Sequence, residues 1–246
     1  MTRTDRASWE RFYEGDPIRH LRDPMRKGRI KTLALICSGR TVDIGGGACF
    51  IAAARAALAA EQRNPPPPPT VTLEISAAAL KGVASAFKEV GAEGAYEGTV
   101  LARAARLCVV GDAQNLPFKD NSFQTAVLGE VLEHYSKEEA VWILLEAARV
   151  AERFVVISVP NQKLPPPKAP APGEPTLDSS YHHQQEYSLE KLKDQTEAIG
   201  RLVGYQLGHW IIAQVAIDKA RAKGWRELME VRRRTCQKHL KDKCAK

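Results

Sequence analysis

The sequence contains no C-x-x-C pair, and its five cysteines are an odd number in 246 residues. Both facts argue against a zinc ribbon and against a disulfide framework. Cys37, Cys49 and Cys108 sit in apolar segments and are expected as core thiols. No apolar run approaches the roughly 20 residues that cross a bilayer, so no membrane span is expected. Residues 1–6 are polar and lack the apolar core of a signal peptide, which makes a cytoplasmic location the expectation. There is no internal repeat, so a solenoid is not indicated. A one-signed body is missing as well. The net charge of +7 comes from residues 219–246, which hold 11 of the 36 Lys and Arg and 3 of the 29 Asp and Glu. The rest of the chain carries 25 basic and 26 acidic side chains.

What is present is enough apolar content, 44% hydrophobic residues, to bury the core of one α/β domain. The most informative run is Thr41-Val-Asp43-Ile-Gly45-Gly46-Gly47-Ala-Cys49-Phe50. It reads as a short buried strand, a glycine turn and the start of an alanine-rich helix. Glycines let a backbone approach a ligand closely, and amides at a helix start can face a ligand's polar end. A nucleotide-like cofactor is the expectation.

Along the chain, residues 7–37 read as helical, punctuated at Asp16-Pro17 and Asp23-Pro24. Strands are expected at 41–44, 70–75, 105–110, 123–128 and 154–159, with helices at 48–61, 77–90 and 137–150. Pro65 to Pro69 form an extended connector. Residues 163–180, rich in Pro, Ala and Gly, read as a loop. Ser188 is placed to cap a helix reaching about residue 198, and 202–213 reads as one or two further strands. Strands separated by helices imply a parallel sheet with crossovers. Such sheets bind ligands at the carboxyl ends of their strands, where Asp43, Glu74, Asp112 and Glu130 all fall.

Two cofactors compete for the glycine turn. Gly45 and Gly47 fit the first two positions of the dinucleotide pattern G-x-G-x-x-G, but Phe50 holds the third. The set Asp43-Ile-Gly-Gly-Gly, Leu73-Glu74, Gly111-Asp112-Ala113-Gln-Asn-Leu116-Pro117-Phe118 and Glu130-Val-Leu-Glu133-His134 decides between them. In order and spacing it resembles the class I S-adenosylmethionine-dependent methyltransferases, in their small-molecule branch, over about residues 30–215. The resemblance implies a Rossmann-like α/β fold, with a mostly parallel central sheet and helices on both faces. An N-terminal helical lid would span 1–40, the cofactor domain 41–217 and a basic C-terminal helix 218–246.

The same resemblance implies roles. Gly45, Gly46 and Gly47 would lie under the methionine part of S-adenosylmethionine, with Asp43 near its amino group. Glu74 would accept from both ribose hydroxyls, as an ionised carboxylate can. Asp112 and the Ala113 amide would face the adenine, the Leu128-Gly129 backbone would contact the methionine end, and Glu130 would also bind the cofactor. Tyr13, with Trp9, would close the site as a lid. The chain departs from the family at Gln124, where an Asp is frequent and where a structural hydrogen bond would be forfeited. The Lys-Pro-Gly-Gly turn before the fifth strand is missing. Glu74 follows Asp43 by more residues than usual, an excess that the proline run explains.

Methyl transfer from a sulfonium is an in-line displacement in which the protein mainly positions the acceptor. A hydroxyl acceptor wants a base near neutrality, and histidine suits that need. His134, His182 and His183 are the catalytic candidates, and the resemblance places His182 and His183 over the mouth of the site. The expected activity is methyl transfer to an O, N or C atom of a small-molecule acceptor, releasing S-adenosylhomocysteine. Two alternatives stand beside it: an RNA or protein methyltransferase that uses the basic tail, and a non-catalytic binding protein of the same fold. Nucleic acid is therefore a second, less favoured partner. A homodimer is compatible with the sequence. Trp225, Met229, Cys236 and Leu240 recur at helical spacings, so the tail reads as a surface helix with one packed face. Cys236, His239 and Cys244 could be drawn as metal ligands, but that helix contains them by chance on the preferred reading, and no metal site is expected.

Overall fold

A computed structural model describes residues 6–18, 21–164 and 183–244, with the side chains of 232, 233 and 235–244 outside that description. His182 and the ligating side chains of Cys236, His239 and Cys244 lie outside the described residues, as does most of the 163–180 loop. Among the described residues, seven strands form one sheet: β1 (Thr41–Ile44), β2 (Thr70–Glu74), β3 (Cys108–Val110), β4 (Phe123–Gly129), β5 (Ala151–Pro160), β6 (Gly200–Leu207) and β7 (Trp210–Ile217). Their order is β3-β2-β1-β4-β5-β7-β6. The first five are parallel, and β7 runs antiparallel to both β5 and β6. The chain winds outward from β1 to β3 and then returns to β4 on the other side of β1. That reversal opens a crevice at the carboxyl ends of β1 and β4.

The sheet is covered on both faces, and its sequence shows why. All four residues of β1 are buried, as a parallel strand between two helical layers requires. Along β4 and β5 the period-2 alternation splits the core. Ala126, Leu128, Val155 and Ile157 pack with Ile143, Leu144 and Ala147 of helix α7 (Lys137–Val150). Val127 and Val156 face the opposite way, onto Ile30 and Leu33 of α2 (Pro24–Ile36) and Ile51 and Ala54 of α3 (Phe50–Glu61). Helix α2 is thus part of the core, with Arg26 and Arg29 reaching the strand ends, and α1 (Arg6–Glu14) also lies near those ends.

Helix starts follow local chemistry. Asp23 caps α2 by accepting from the Met25 amide at 2.8 Å, with Pro24 in the first turn. Ser136 and Glu139 form a reciprocal capping box at α7. Helix α7 then passes at Val150 straight into β5, with no intervening turn.

Three local expectations are corrected. The helix expected over 77–90 is two, α4 (Ala77–Leu80) and α5 (Val83–Glu89). At the break, a Cβ on Gly82 would stand 2.7 Å from Pro17 Cβ, so the chain needs glycine there. The strand expected over 105–110 begins only at Cys108, because helix α6 (Thr99–Arg106) buries Val100 and Ala104 against Phe87. Gln124 does not forfeit its hydrogen bond: its Oε1 accepts from the Arg40 amide at 2.6 Å.

The basic helix α9 (Lys219–Cys244) docks on α7. Lys219 donates to the carbonyls of Ala148 and Ala151, Arg226 to that of Leu145, and Met229 packs on the core. Arg226 and Arg149 both pair with the buried Glu146, at 2.7 and 2.8 Å. Helix α8 (Leu189–Thr196) starts at Ser188, whose hydroxyl accepts from the Lys191 amide.

Candidate functional site

The register of the parallel strands builds the site. Ile44 pairs with Leu73 on one side and with Leu128 on the other, and Glu74 pairs with Val110. The next residues along each strand, Gly45, Glu74, Gly129 and Gly111, therefore share one edge of the sheet. They line a cleft of about 160 Å³. Leu73, Ile75 and Ala113 supply one apolar wall, and Trp9, Phe12 and Tyr13 of α1 cover it. Glu133, His134 and His183 stand in the same cleft with Val131 and Tyr135.

The glycine turn is held from below. Gly45 has φ +71°, and a Cβ there would stand 2.7 Å from Val131 Cγ2, so a larger residue would meet the cleft wall. The Gly47 amide donates to Glu74 Oε2 at 2.9 Å, and the Ser76 amide to Glu74 Oε1 at 3.1 Å. Burial pushes the Glu74 carboxyl up, while the amides of Ser76, Gly47 and Ile75 pull it down. Asp43 lies behind the turn. It is buried, is not part of the cleft wall, and its Oδ2 has no hydrogen-bond partner. Burial raises its pKa to about 7, against the amide of Ile51. Gly46 turns toward that carboxylate, and a Cβ on it would collide with Asp43.

The other expected residues fall into two groups. Ala113, Gly129, Glu130, Tyr13, His134 and His183 line the cleft with Gly45 and Glu74. Asp112 sits between the lining residues Gly111 and Ala113 and accepts from the Gln114 amide at 2.9 Å. Leu128 is fully buried beneath Gly129. Burial, followed by the nearby His183, lowers the His134 pKa to about 3, which leaves its ring neutral.

Sequence reasoning missed Arg29, Ser158, Trp210 and Glu133. Arg29 is 8% exposed and lines the cleft. Its Nη1 donates to Ser158 Oγ at 2.9 Å and pairs with Glu130 Oε1 at 3.3 Å. Trp210 Nε1 donates to Glu130 Oε2 at 2.8 Å. A signal existed: Arg29 lies four residues before Leu33, on the face of α2 that enters the core, where an unpaired charge is costly. Ser158 and Trp210 carry no such signal, because only the pairing of β5 with β4 and β7 brings them to Glu130.

The residues present fit S-adenosylmethionine. Glu74 offers acceptor lone pairs where a diol can reach them. Leu73, Ile75 and Ala113 form an apolar slot for a flat base. The Nε of Arg29 is buried without a hydrogen-bond partner, a donor that a carboxylate would satisfy.

Residues 42–154 match a family described as a methyltransferase domain. Among solved structures, the chain is similar to the magnesium protoporphyrin IX methyltransferase from Synechocystis PCC 6803 with bound SAM. The identity is 15%, over 87% of this chain and 97% of that one, with a TM-score of 0.53. It is similar to a SAM dependent methyltransferase from Aquifex aeolicus at 15% identity, over 82% of this chain and 99% of the other, with a TM-score of 0.54. A third likeness is to a structure from work on converting a disulfide bond into a thioacetal group during echinomycin biosynthesis. There the identity is 15%, over 79% and 81% of the two chains, with a TM-score of 0.51. At such identities the likeness is one of fold. No curated protein sequence matches the chain.

Proposed function

We propose that this chain, whose residues 42–154 match a methyltransferase domain, is a class I S-adenosylmethionine-dependent methyltransferase that moves a methyl group to an O, N or C atom of a small-molecule acceptor. The observation that carries this is the cleft at the strand ends, with Glu74 on one wall, an aromatic cover from α1 and a polar cluster beside the glycine turn. The similarity to a magnesium protoporphyrin IX methyltransferase, and to a structure from work on echinomycin biosynthesis, supports a small-molecule acceptor. The basic helix offers less support for a nucleic-acid acceptor: among the described residues, none of those lining the cleft comes from α9.

The cofactor supplies an electrophilic methyl group on a sulfonium when bound. The chain's own residues bind and orient. Glu74 accepts from the ribose, the Gly45–Gly47 turn brings backbone against the methionine portion, and Arg29 presents a guanidinium to its carboxylate. Asp43 acts from behind, holding the turn and the start of α3, and Asp112 braces the loop that carries Ala113. Trp9, Phe12 and Tyr13 exclude water from the cleft. Glu133, His134 and His183 stand together in the cleft where the acceptor's reacting group would be received.

The test is incubation with methyl-labelled S-adenosylmethionine and a panel of phenols, amines and carbon acids. The reading expects label in at least one acceptor together with S-adenosylhomocysteine. S-adenosylhomocysteine binding with label appearing only in RNA or protein would contradict the small-molecule assignment.

A further inference from the structure

Glu133 sits in the short helical turn Leu132–His134 and is fully buried. Neither of its carboxylate oxygens meets a donor from another residue, and the Nδ1 of His134 is equally buried and unpartnered. Buried polar atoms in native proteins are nearly all satisfied, and a lone buried carboxylate is costly. The neighbouring carboxylate, Glu130, does not share this problem, because Arg29, Ser158 and Trp210 already engage it.

A third donor is brought to the pair by the backbone. The Gln184 and Gln185 amides both donate to the Glu133 carbonyl, at 2.7 and 3.2 Å. The Gln184 side chain donates to the His134 carbonyl at 2.9 Å, and that of Gln185 to the Tyr135 carbonyl at 2.8 Å. These bonds fasten the segment that carries His183 against the turn, with the two imidazole centroids 5.3 Å apart. One ligand atom from each of Glu133, His134 and His183 then lies within 4.8 Å of the other two.

We propose that Glu133, His134 and His183 hold a first-row divalent transition-metal ion in the acceptor part of the cleft. An ion about 2.0–2.2 Å from each donor needs the three only slightly closer together, and His183 is exposed enough to turn inward. Two imidazoles and one carboxylate suit zinc, manganese, iron(II) or cobalt, and do not suit magnesium or calcium, which prefer all-oxygen shells. Three protein ligands leave positions open toward the cleft, as in catalytic sites rather than structural ones. The site stands on its own geometry; only its use rests on the methyl-transfer reading. A cation there supplies positive charge that favours the ionised form of an acceptor hydroxyl. The hydroxyl proton passes to solvent, and the oxygen forms a bond to the methyl carbon. The carbon–sulfur bond breaks, and its electron pair stays on sulfur, turning the sulfonium into a neutral thioether. The acceptor class is therefore a hydroxyl compound, a phenol or an alcohol.

The experiment titrates the full chain, stripped with chelator, with Co²⁺ and separately with Mg²⁺, followed by visible absorption and calorimetry. Glu133→Gln and His183→Ala are run in parallel, and each sample is also titrated with S-adenosylhomocysteine. The expected result is saturable Co²⁺ binding with ligand-field bands of nitrogen and oxygen coordination, and little response to Mg²⁺. Each variant should weaken Co²⁺ binding by about tenfold or more. His183, being exposed, can be replaced without unfolding the chain. A thiolate-to-cobalt charge-transfer band, equal Co²⁺ affinity in wild type and both variants, or no Co²⁺ binding by a protein that binds S-adenosylhomocysteine would each overturn the site. Co²⁺ binding lost in the variants, in a protein that ignores S-adenosylhomocysteine, would uphold the site and contradict the methyl-transfer reading instead.

Discussion

The Gly47 amide donates to Glu74 Oε2 at 2.9 Å, joining the turn after β1 to the last residue of β2. One carboxylate thereby fixes the shape of the glycine turn and also faces the cleft. Cofactor recognition and turn geometry are coupled through that side chain, so losing it damages both.

Asp43 gives a pH signature. Burial is the main cause that carries its pKa from the ordinary 3.8 to about 7 in the folded chain. The folded state then holds a proton that the unfolded state has released. Stability from this group is full below about pH 4 and falls as pH rises to about 7, by roughly 1.4 kcal/mol per pH unit. Asp43→Asn should remove that slope and raise the stability of the cofactor-free protein above pH 7. Urea midpoints across the window check it; parallel curves for the two proteins would refute it.

Glu10 anchors the aromatic cover. Its carboxylate accepts from the Ala78 and Ala77 amides at 2.8 and 2.9 Å and from the Ser76 hydroxyl at 3.0 Å. The Ala78 amide leads in lowering its pKa to about 2, with Ala77 and Ser76 outweighing burial. The anchor is thus complete above the ordinary value of 4.5 and is lost as pH falls through about 2. Glu10→Ala should speed amide hydrogen exchange across α1 and weaken S-adenosylhomocysteine binding severalfold, since Trp9, Phe12 and Tyr13 ride on that helix. Unchanged exchange in α1 would show that the anchor is elsewhere.

Arg29 is buried against Glu130 and Trp210. Arg29→Met leaves Glu130 with uncharged partners and removes the guanidinium from the cleft. We expect a loss of about 2–3 kcal/mol in stability and about tenfold in S-adenosylhomocysteine affinity. Pairing it with Glu130→Gln should recover part of the stability but not the affinity. Full recovery of both would make Arg29 purely structural.

Glu146 holds α9 to the body. Burial opposes its charge, but Arg149, Arg226 and the Leu116 amide keep its pKa below the ordinary value. Glu146→Ala should cost about 2–3 kcal/mol and open α9 to protease. A protein as resistant as wild type would show that Lys219 and Met229 suffice.

The strands and the glycine turn were legible in the sequence because each is a local pattern: short apolar runs, an acidic residue at or after the ends of the first four strands, the cap at Ser188. The break at Gly82 was not, because it depends on contact with Pro17, far away in sequence. Helix α6 hid for a related reason: its apolar residues merge with Cys108-Val-Val into one run. Half of the site was legible from strand ends. Arg29, Ser158 and Trp210 were not, since their roles arise from pairings across the sheet and from a helix packed beneath it. Glu133 lay in plain view within Glu130-Val-Leu-Glu133-His134, but its lack of a partner is visible only in three dimensions.

The most direct measurement is calorimetric titration of the protein with S-adenosylhomocysteine, wild type beside Glu74→Ala. The account predicts saturable binding by the wild type and a loss of roughly 100-fold in the variant, as expected when a carboxylate gives up two charge-assisted hydrogen bonds. Equal affinity in the two proteins, or no binding to a folded wild type, would contradict it.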